Sequence, residues 1–310
     1  MEQVSKFNQT KYPIQFEILE SIKEKNPRHY KKLASSLKGL PDEFYERGES
    51  FFAQYKAWSA TTGRNLEYGI DSYLKMVSDT MFEQIRFMQT GEYTCKNFED
   101  ALENVYNNPD VMEYYMHGLM LSQFLWKHHY AIFKYFTGNL ATHATNVNSY
   151  LEIGGGHGLY LAEAIEIIGE GKHYDLVDIS QSSIDIAKSF IVDKGVNFFL
   201  QDIYKYETEN KYDFITMGEV LEHVEDPVSL LGQIHRLLAD DGTAFITTPA
   251  NAPAIDHIYL FNDAEHIIRI IDEAGFKVVN DIRLYTEDLP EEKAKELKIP
   301  LMYGAFITKK

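Results

Sequence analysis

Apolar residues recur at helical spacing through the first 140 residues, and runs of β-branched residues are few. Side chains three and four positions apart fall on one face of a helix, so this spacing predicts amphipathic helices. The longest predicted helix covers residues 111–136, with Asp110 as its N-cap and residues 137–139 as its end. The pattern therefore predicts a helical N-terminal domain over residues 1–140.

After residue 148 the pattern changes to short apolar runs that alternate with helical segments. Strands are predicted over residues 150–153, 174–179, 196–200, 212–217, 243–248, 276–285 and 302–308. Helices are predicted from residue 160, and over residues 182–190, 227–238 and 264–274. Alternation of this kind implies an α/β domain with a mostly parallel, doubly wound sheet and helices on both faces. This predicted domain covers residues 141–310.

The composition narrows the classes of partner. The 310 residues carry a formal net charge of −17 and show no cluster of basic residues, so no nucleic-acid partner is expected. The single cysteine, Cys95, cannot form an intrachain disulfide, which fits a reducing cytoplasm. No stretch approaches the roughly 20 apolar residues that span a bilayer, and no secretory signal is visible. We therefore expect a cytoplasmic protein without a membrane partner.

The strongest chemical signature is the sequence Leu-Glu-Ile-Gly-Gly-Gly-His-Gly at residues 151–158, directly after the first predicted strand. A sharp turn from strand to helix needs residues that tolerate positive φ, and a ligand against the backbone leaves no room for a Cβ atom. Gly154, Gly156 and Gly158 meet both demands, and the N-terminus of the next helix adds positive polarity. Dinucleotide-binding loops and structural turns share such glycines, so the loop alone does not choose between these alternatives.

Acidic side chains accompany the ends of the first three predicted strands. Asp178 follows the glycine loop by about 20 residues, where a carboxylate can accept hydrogen bonds from ribose hydroxyls. Asp202 follows the third strand, where it can accept from an adenine amine while Ile203 packs on the ring. Glu152 precedes the glycines and suits a cationic ligand better than an anionic pyrophosphate. Each acid alone also fits a structural role, as a loop brace, a helix cap or a turn residue.

Over residues 148–310 the sequence resembles the class I S-adenosylmethionine-dependent methyltransferases. The resemblance lies in the glycine loop, in Asp178 as the ribose acid and in Asp202-Ile203 as the adenine contact. It implies a seven-stranded Rossmann-like sheet with an antiparallel C-terminal hairpin, S-adenosylmethionine as the cofactor, and methyl transfer as the reaction. The cofactor-binding candidates in this domain are Glu152, Gly154, Gly156, Asp178, Ile179, Asp202, Ile203, Met217 and Gly218.

The next segment, Met-Gly-Glu-Val-Leu-Glu-His-Val-Glu-Asp-Pro at residues 217–227, is similar to the ubiquinone-biosynthesis O-methyltransferase branch of that family. If it is helical, Glu219, Glu222 and His223 share one face. With a fourth ligand from Asp256-His257, in the loop after the fifth strand, they could hold a divalent cation; His257 is the candidate of this pair. Oxygen-rich ligation with imidazole fits Mg, Mn or Fe better than structural Zn. That branch and the small-RNA 3′-end methyltransferases resemble this arrangement, which implies a metal that orients an acceptor hydroxyl.

A metal-free alternative stays open for the same residues. Many methyltransferases without a metal carry a Glu-His pair at this place. In that case His223 or His257 is the candidate general base, because imidazole titrates near neutral pH. The candidate catalytic residues are therefore Glu219, His223 and His257.

We interpret the helical half as a lid that recognises the acceptor. Its longest predicted helix resembles the helix that precedes the sheet in small-molecule O-methyltransferases, which makes Tyr115, Met120 and Ser122 candidate site residues. The predicted function is O-methylation of a small biosynthetic molecule. N-methylation, an RNA or protein acceptor, and a non-catalytic cofactor-binding protein are the alternatives. A homodimer is left open, because no winged-helix pattern supports the intertwined dimer of the family.

Overall fold

The computed structural model describes residues 9–192 and 194–310. These residues divide into two compact units. The first unit contains residues up to 78 and residues 113–131, and the second contains residues 79–112 and 132–310. Residues 79–112 and 132–140, which the sequence prediction grouped with the helical half, thus belong to the same unit as the sheet. Within the described ranges, no helix combines the length and the apolar character needed to cross a membrane.

From residue 9 onward, seven α-helices precede the first strand. They are α1 (Pro13–Lys25), α2 (Pro27–Leu37), α3 (Asp42–Thr61), α4 (Leu66–Thr90), α5 (Phe98–Ala101), α6 (Pro109–Leu125) and α7 (Lys127–His143), with a π-helix at Leu102–Tyr106 after α5. Proline occupies the first turn of α1 and α2, and the side chain of Asn26 accepts the amide N–H of His29 as the N-cap of α2. Large aromatic side chains fill the core of the first unit, among them Phe44, Tyr45, Phe52, Tyr55 and Tyr73.

The helix predicted over residues 111–136 is two helices in the structure, and the predicted end at residues 137–139 is wrong. The chain breaks at Trp126, between α6 and α7, and α7 continues to His143. At the break, the indole N–H of Trp126 donates to Tyr73 Oη over 2.8 Å. Apolar residues continue on both sides of Trp126, so the sequence pattern does not reveal the break.

The second unit is built on a seven-stranded sheet. Its strands are β1 (Ser149–Ile153), β2 (His173–Asp178), β3 (Val196–Leu200), β4 (Tyr212–Gly218), β5 (Leu238–Ala250), β6 (Phe276–Tyr285) and β7 (Leu301–Lys309). Its later helices are α8 (Leu159–Ile168), α9 (Gln181–Phe190), α10 (Pro227–Leu237), α11 (Ala264–Glu273) and α12 (Glu291–Glu296). The strand order is β3-β2-β1-β4-β5-β7-β6; β7 pairs antiparallel with β5 and β6, and the other pairs are parallel. The predicted α/β fold with a C-terminal antiparallel pair is confirmed.

Alternate residues along the strands face two separate apolar clusters. On β1, Leu151 and Ile153 belong to one cluster, whereas Tyr150, the residue before Leu151, belongs to the other. Phe214 and Ile215 on β4 divide in the same way. Because successive side chains of a strand point to opposite faces, this division buries both faces of the sheet.

The carboxyl ends of β1, β2, β3 and β4 lie at one edge of the sheet. Ile153 at the end of β1 pairs with Val177 on β2 and with Met217 on β4, and Asp178 pairs with Leu200 on β3. The chain moves outward from β1 to β3 and then returns to β4 on the other side of β1. Open α/β sheets bind ligands at such a switch point, outside the carboxyl ends of the strands.

Candidate functional site

The glycine loop joins β1 to α8 by a turn that requires glycine. Gly154, Gly156 and Gly158 have φ values of 65°, 52° and 75°, in the left-handed region that side chains with a Cβ atom rarely adopt. A Cβ atom on Gly154 would lie 2.5 Å from a methyl carbon of Val220, so there is no room for one. The amide of Gly154 also donates to the carbonyl of Val177, which fixes the loop to β2. The predicted strand-to-helix turn is present at these residues.

Glu152 places a buried carboxyl group beneath this loop. Its Oε2 atom is buried and has no hydrogen-bond partner among the described residues. Burial raises the pKa of Glu152 to about 8, opposed by the backbone amide of Leu161 and reinforced by the nearby Asp178. An unpaired buried acceptor is costly, and a cation brought next to it would offset part of that cost. The site therefore fits a ligand with a positively charged group near the end of β1.

Asp178 at the end of β2 braces the glycine loop. Its Oδ2 atom accepts the amide N–H of Gly156 over 3.0 Å, and its Oδ1 atom accepts the amide N–H of Ser180 over 2.8 Å. Burial raises the pKa of Asp178, while these amide bonds work in the opposite direction. Each carboxylate oxygen keeps a second lone pair, so the brace leaves Asp178 able to accept from ribose hydroxyls.

Asp202 and Ile203 follow β3 at the same edge of the sheet. Asp202 Oδ1 accepts the amide N–H of Tyr204 over 2.9 Å and caps the short 3-10 turn Ile203–Lys205. Ile203 is half-buried and packs on the apolar cluster that includes Ile153. The turn role considered for Asp202 is thus present, and its remaining lone pairs stay available to a ligand.

The other predicted cofactor contacts divide between the two units. Gly218 ends β4 at the switch edge, next to Met217, whose side chain is fully buried in the apolar cluster. Ile179 follows Asp178 directly and is half-buried. Three candidates, Tyr115, Met120 and Ser122, lie on α6 in the first unit. Ser122 and Met120 are fully buried there, and Ser122 Oγ donates to the carbonyl of Leu119 over 2.7 Å. Their role towards a cofactor stays a prediction.

The segment after β4 is not an α-helix, so the helical face predicted for Glu219, Glu222 and His223 does not exist. Glu219 has a φ of 54°, and its amide donates to the carbonyl of Thr247 on β5 over 3.0 Å. A short 3-10 turn follows at Leu221–His223. Glu219 is held against β5 because the chain leaves the end of β4 as an extension of the sheet. Burial and the neighbouring Glu222 raise the pKa of Glu219 to about 8.

Glu222, His223 and His257 nevertheless converge, with one ligand atom from each within 4.8 Å of the others. Glu222 Oε1 lies 3.7 Å from His223 Nε2 and 3.9 Å from His257 Nε2. This oxygen is buried and lacks a hydrogen-bond partner among the described residues, whereas Oε2 accepts from Thr248 Oγ1 over 2.8 Å. Glu219 lies outside this group of three. The convergence comes from the tertiary fold, since His257 belongs to the loop after β5.

Backbone carbonyls set the orientation of both imidazole rings. His223 Nδ1 lies 3.1 Å from the carbonyl oxygen of Asp256, and His257 Nδ1 lies 2.5 Å from that of Ala252. A carbonyl oxygen only accepts, so Nδ1 carries the proton in each ring. Both Nε2 atoms are then left to face Glu222 Oε1 with their lone pairs. Two neutral imidazoles and a carboxylate in this arrangement form a donor set that fits a divalent cation.

The charges around the two imidazoles differ. Burial lowers the pKa of His223, but Asp256 and Glu222 outweigh it and leave the pKa raised. Burial, together with His223, lowers the pKa of His257 to about 4. Burial raises the pKa of Glu222, and His223 opposes that change. The surroundings therefore favour the protonated form of His223 more than that of His257.

Two tyrosines near this group were missed by the sequence analysis. Tyr93 Oη accepts the amide N–H of Ala252 over 3.0 Å, and Tyr106 Oη donates to Asp256 Oδ2 over 3.2 Å. Their rings lie edge-on to His257 and His223, at 5.9 and 6.2 Å between centroids. Both tyrosines belong to the stretch 79–112, which the sequence prediction assigned to the helical half. No motif marks them, because 21 tyrosines are spread along the chain.

Comparison with known proteins agrees with this geometry. A family model described as a methyltransferase domain matches residues 126–281. The ubiquinone biosynthesis O-methyltransferase of Aeromonas salmonicida (strain A449) is 29% identical over 125 residues, which cover 39% of this chain and 51% of that protein. The malonyl-[acyl-carrier protein] O-methyltransferase 1 of Ilyobacter polytropus is 29% identical over 102 residues, which cover 33% of this chain and 38% of that protein.

The chain spans about half the length of the curated relatives it matches, or less. Among solved structures, the mitomycin 7-O-methyltransferase MmcR is similar in fold, with a TM-score of 0.52 and 12% identity over 75% of this chain and 68% of that one. The likeness to that structure shows a shared fold. The chain belongs to the S-adenosylmethionine-dependent methyltransferases.

Proposed function

We propose that this protein transfers the methyl group of S-adenosylmethionine to a hydroxyl group of a small molecule. The observation that carries the proposal is the placement of two sets of residues at one edge of the sheet. Glu152 and Asp178 lie at the carboxyl ends of β1 and β2, and Asp202 follows β3. The group of Glu222, His223 and His257 follows β4 and β5. The first set suits a cationic nucleoside and the second suits an acceptor oxygen.

The residues of this chain supply binding and alignment, because S-adenosylmethionine brings a methyl group that is already activated by its sulfonium. The buried Oε2 of Glu152, which has no partner among the described residues, would hold the cationic amino-acid end of the cofactor. Asp178 would accept from the ribose, and Asp202 would accept from the adenine amine, with Ile203 against the ring. Methyl transfer needs the acceptor oxygen, the methyl carbon and the sulfur in line, so orientation is the main contribution of the protein.

We further infer that Glu222, His223 and His257 hold a divalent cation. A bound cation would lower the pKa of an acceptor hydroxyl and orient its oxygen. The support is the buried Glu222 Oε1 without a partner, which two Nε2 lone pairs approach. Glu219 lies outside this group and stays a candidate acid beside the methyl position. In the metal-free alternative, His223 is the general base and Asp256 beside it stabilises the protonated ring.

The charge of the chain and the names of its relatives support a small-molecule acceptor with a hydroxyl group. The formal net charge of −17 disfavours a polyanionic acceptor such as RNA. The two curated relatives described above are named O-methyltransferases, which favours oxygen over nitrogen as the methylated atom. The cytoplasmic location and a homodimer stay predictions.

Isothermal titration calorimetry with S-adenosylmethionine and with its demethylated product tests the cofactor. We expect both to bind in the micromolar range, and Asp178→Asn to weaken both at least tenfold. Asp185→Asn, an exposed acid on α9 that pairs with Gln181, is the matched control and should leave binding unchanged. Tight binding of a nicotinamide dinucleotide without binding of S-adenosylmethionine would overturn the proposal.

Radiolabelled methyl transfer to small phenols, aliphatic alcohols, amines and RNA then tests the acceptor class. Label on a hydroxylated small molecule supports the proposal, and label confined to amines or RNA contradicts it. Running the same assay after chelation, with metal content measured in parallel, separates the cation from the metal-free alternative. If protein freed of metal kept full activity, this outcome would support the metal-free alternative, in which His223 is the general base.

A further inference from the structure

Two hydrogen-bonded relays connect tyrosines of the stretch 79–112 to the two imidazoles. One relay runs from Tyr93 through the backbone N–H and carbonyl of Ala252 to His257, and the other runs from Tyr106 through Asp256 to His223. We propose that Tyr93 and Tyr106 are positioning residues that set the ring orientation of His257 and His223. This inference rests on the cation site of the proposed function, because positioned Nε2 lone pairs matter most when they bind an ion.

The Tyr93 relay acts through a residue whose backbone both donates and accepts. Tyr93 Oη accepts the N–H of Ala252 over 3.0 Å, and the carbonyl of Ala252 accepts from His257 Nδ1. The Tyr93 ring also lies edge-on to the imidazole. Tyr93 is buried, so water does not readily replace its hydroxyl. Without this hydroxyl the Ala252 amide loses a partner, and the loop that presents His257 loses an anchor.

The Tyr106 relay acts through a side chain and a backbone carbonyl of the same residue. Tyr106 Oη donates to Asp256 Oδ2 over 3.2 Å, and the Asp256 carbonyl accepts from His223 Nδ1 over 3.1 Å. Asp256 Oδ2 also lies 3.5 Å from the same Nδ1 atom. Tyr106 ends a π-helix, an irregular element that is often found at functional sites. Its hydroxyl therefore fixes the residue that orients His223.

The two relays have the same arrangement, and both pass through the loop after β5. In each, a tyrosine hydroxyl bonds a residue of the stretch 252–256, and that residue accepts the Nδ1 proton of one imidazole. Groups behind a metal-binding histidine fix the tautomer and the ring angle, and their loss commonly lowers metal affinity by about 10- to 100-fold. Each tyrosine is expected to act on its own imidazole and not on the other.

Tyr93→Phe and Tyr106→Phe test the proposal, since each removes a hydroxyl and keeps the ring. Tyr174→Phe is the matched control. Tyr174 is also buried, and its hydroxyl donates to the carbonyl of Gly169 in a loop. It lies at the start of β2, at the end of the strand opposite to Asp178. Calorimetric titration with Mn²⁺ should show affinity lowered about tenfold or more in the two test variants and unchanged in the control.

A second readout uses protein without metal and without substrate. With ¹⁵N-labelled histidine, the nitrogen shifts of the 11 histidines report which ring nitrogen carries the proton. At one fixed alkaline pH, Tyr93→Phe should change the shifts of His257 and leave those of His223, and Tyr106→Phe should do the reverse. General structural damage would instead change many histidines, and it would contradict a positioning role.

The outcomes separate this inference from the proposed function. If the wild-type protein binds no Mn²⁺, the proposed cation site fails, and residue-specific changes in the nitrogen shifts would still support positioning of the imidazoles. If the wild type binds Mn²⁺ and both tyrosine variants bind it equally well with unchanged shifts, the positioning role is overturned and the cation site stands. Because phenylalanine keeps the ring packing, folded variants are expected, and thermal unfolding beside Tyr174→Phe checks this.

Discussion

The amide N–H of Gly156 donates to Asp178 Oδ2, which ties the glycine loop after β1 to the end of β2. Asp178 Oδ1 binds a second amide, that of Ser180, so one carboxylate holds two separate turns. Asp178 therefore has a structural task that exists before any ligand arrives. This double role means that stability and cofactor affinity should both respond to its removal.

Asp178→Ala is expected to lower the free energy of unfolding of the ligand-free protein by about 1–3 kcal/mol, because two buried amides lose their acceptor. Denaturant unfolding followed by circular dichroism measures this change. Asp185→Ala on the exposed face of α9 is the control and should change stability by less than about 0.5 kcal/mol. Equal stability of the wild type and Asp178→Ala would show that the brace is not needed.

Gly154→Ala is expected to destabilise the protein and to abolish cofactor binding. The new methyl group would meet Val220 at 2.5 Å, and the residue has a φ of 65°. Gly195→Ala separates the two causes, since Gly195 has a φ of 70° but, apart from its two chain neighbours, no described residue has an atom within 4 Å of the position that its new methyl group would take. Thermal unfolding should place Gly154→Ala clearly below Gly195→Ala. A similar loss in both would assign the effect to backbone conformation alone.

Glu152 should make stability and cofactor affinity depend on pH. Its pKa rises from 4.5 to about 8 on folding, so the folded, ligand-free protein binds more protons than the unfolded chain between these values. Stability is therefore expected to fall as pH rises through this window, by roughly 1 kcal/mol per pH unit from this residue. Urea unfolding at several pH values, with Glu152→Gln beside the wild type, measures the contribution. The slope difference between the two proteins should vanish above pH 8.

Binding of a cationic cofactor should reverse that protonation. A positive charge next to Glu152 favours its ionised form, so S-adenosylmethionine should release a proton when it binds below pH 8. Calorimetry in buffers of different ionisation enthalpy detects the released proton, and affinity should rise with pH up to about 8. Glu152→Gln should show neither effect. Proton release that persists in Glu152→Gln would assign it to another group.

Glu222→Gln should remove most of the bound cation while the fold persists. The amide can keep the bond with Thr248 Oγ1, but it offers no charge to the ion between His223 and His257. Elemental analysis after purification should show at least a tenfold loss of metal. Glu219→Gln is the informative comparison, since Glu219 lies outside the three-residue group and should retain the metal. If Glu219→Gln lost the metal and Glu222→Gln kept it, Glu219 would be the metal ligand in place of Glu222.

The fold of the second unit could be predicted from the sequence to a large extent. Strand ends, the glycine loop and the acids that follow them are local features, and positive φ at Gly154 follows directly from the sharp turn. The break at Trp126 could not be predicted, because the apolar periodicity continues across it. The non-helical course after β4 was also missed. Glu219 and His223 have helical spacing in sequence, but bonding of Glu219 to β5 decides their conformation.

The candidate site was predictable only where its residues follow the strands in sequence. Glu222, His223 and His257 were found because they lie just after β4 and β5. Tyr93 and Tyr106 are separated from His257 by more than 150 positions and carry no spacing signal. Their contacts arise from packing of the stretch 79–112 within the second unit, and tertiary packing of this kind leaves no local pattern.

The unit that carries the site is discontinuous in sequence, since residues 79–112 belong to it and residues 113–131 do not. A genetic exchange that replaced everything before residue 140 would remove Tyr93 and Tyr106 together with the helical segments. Proteins that arise from such an exchange would keep every strand-end acid and both histidines. Other side chains would then contact the loop residues that bond the two imidazoles. Under the proposed roles of the helical half and of the two imidazoles, changes of substrate and changes of ion preference would arise together in this lineage rather than one at a time.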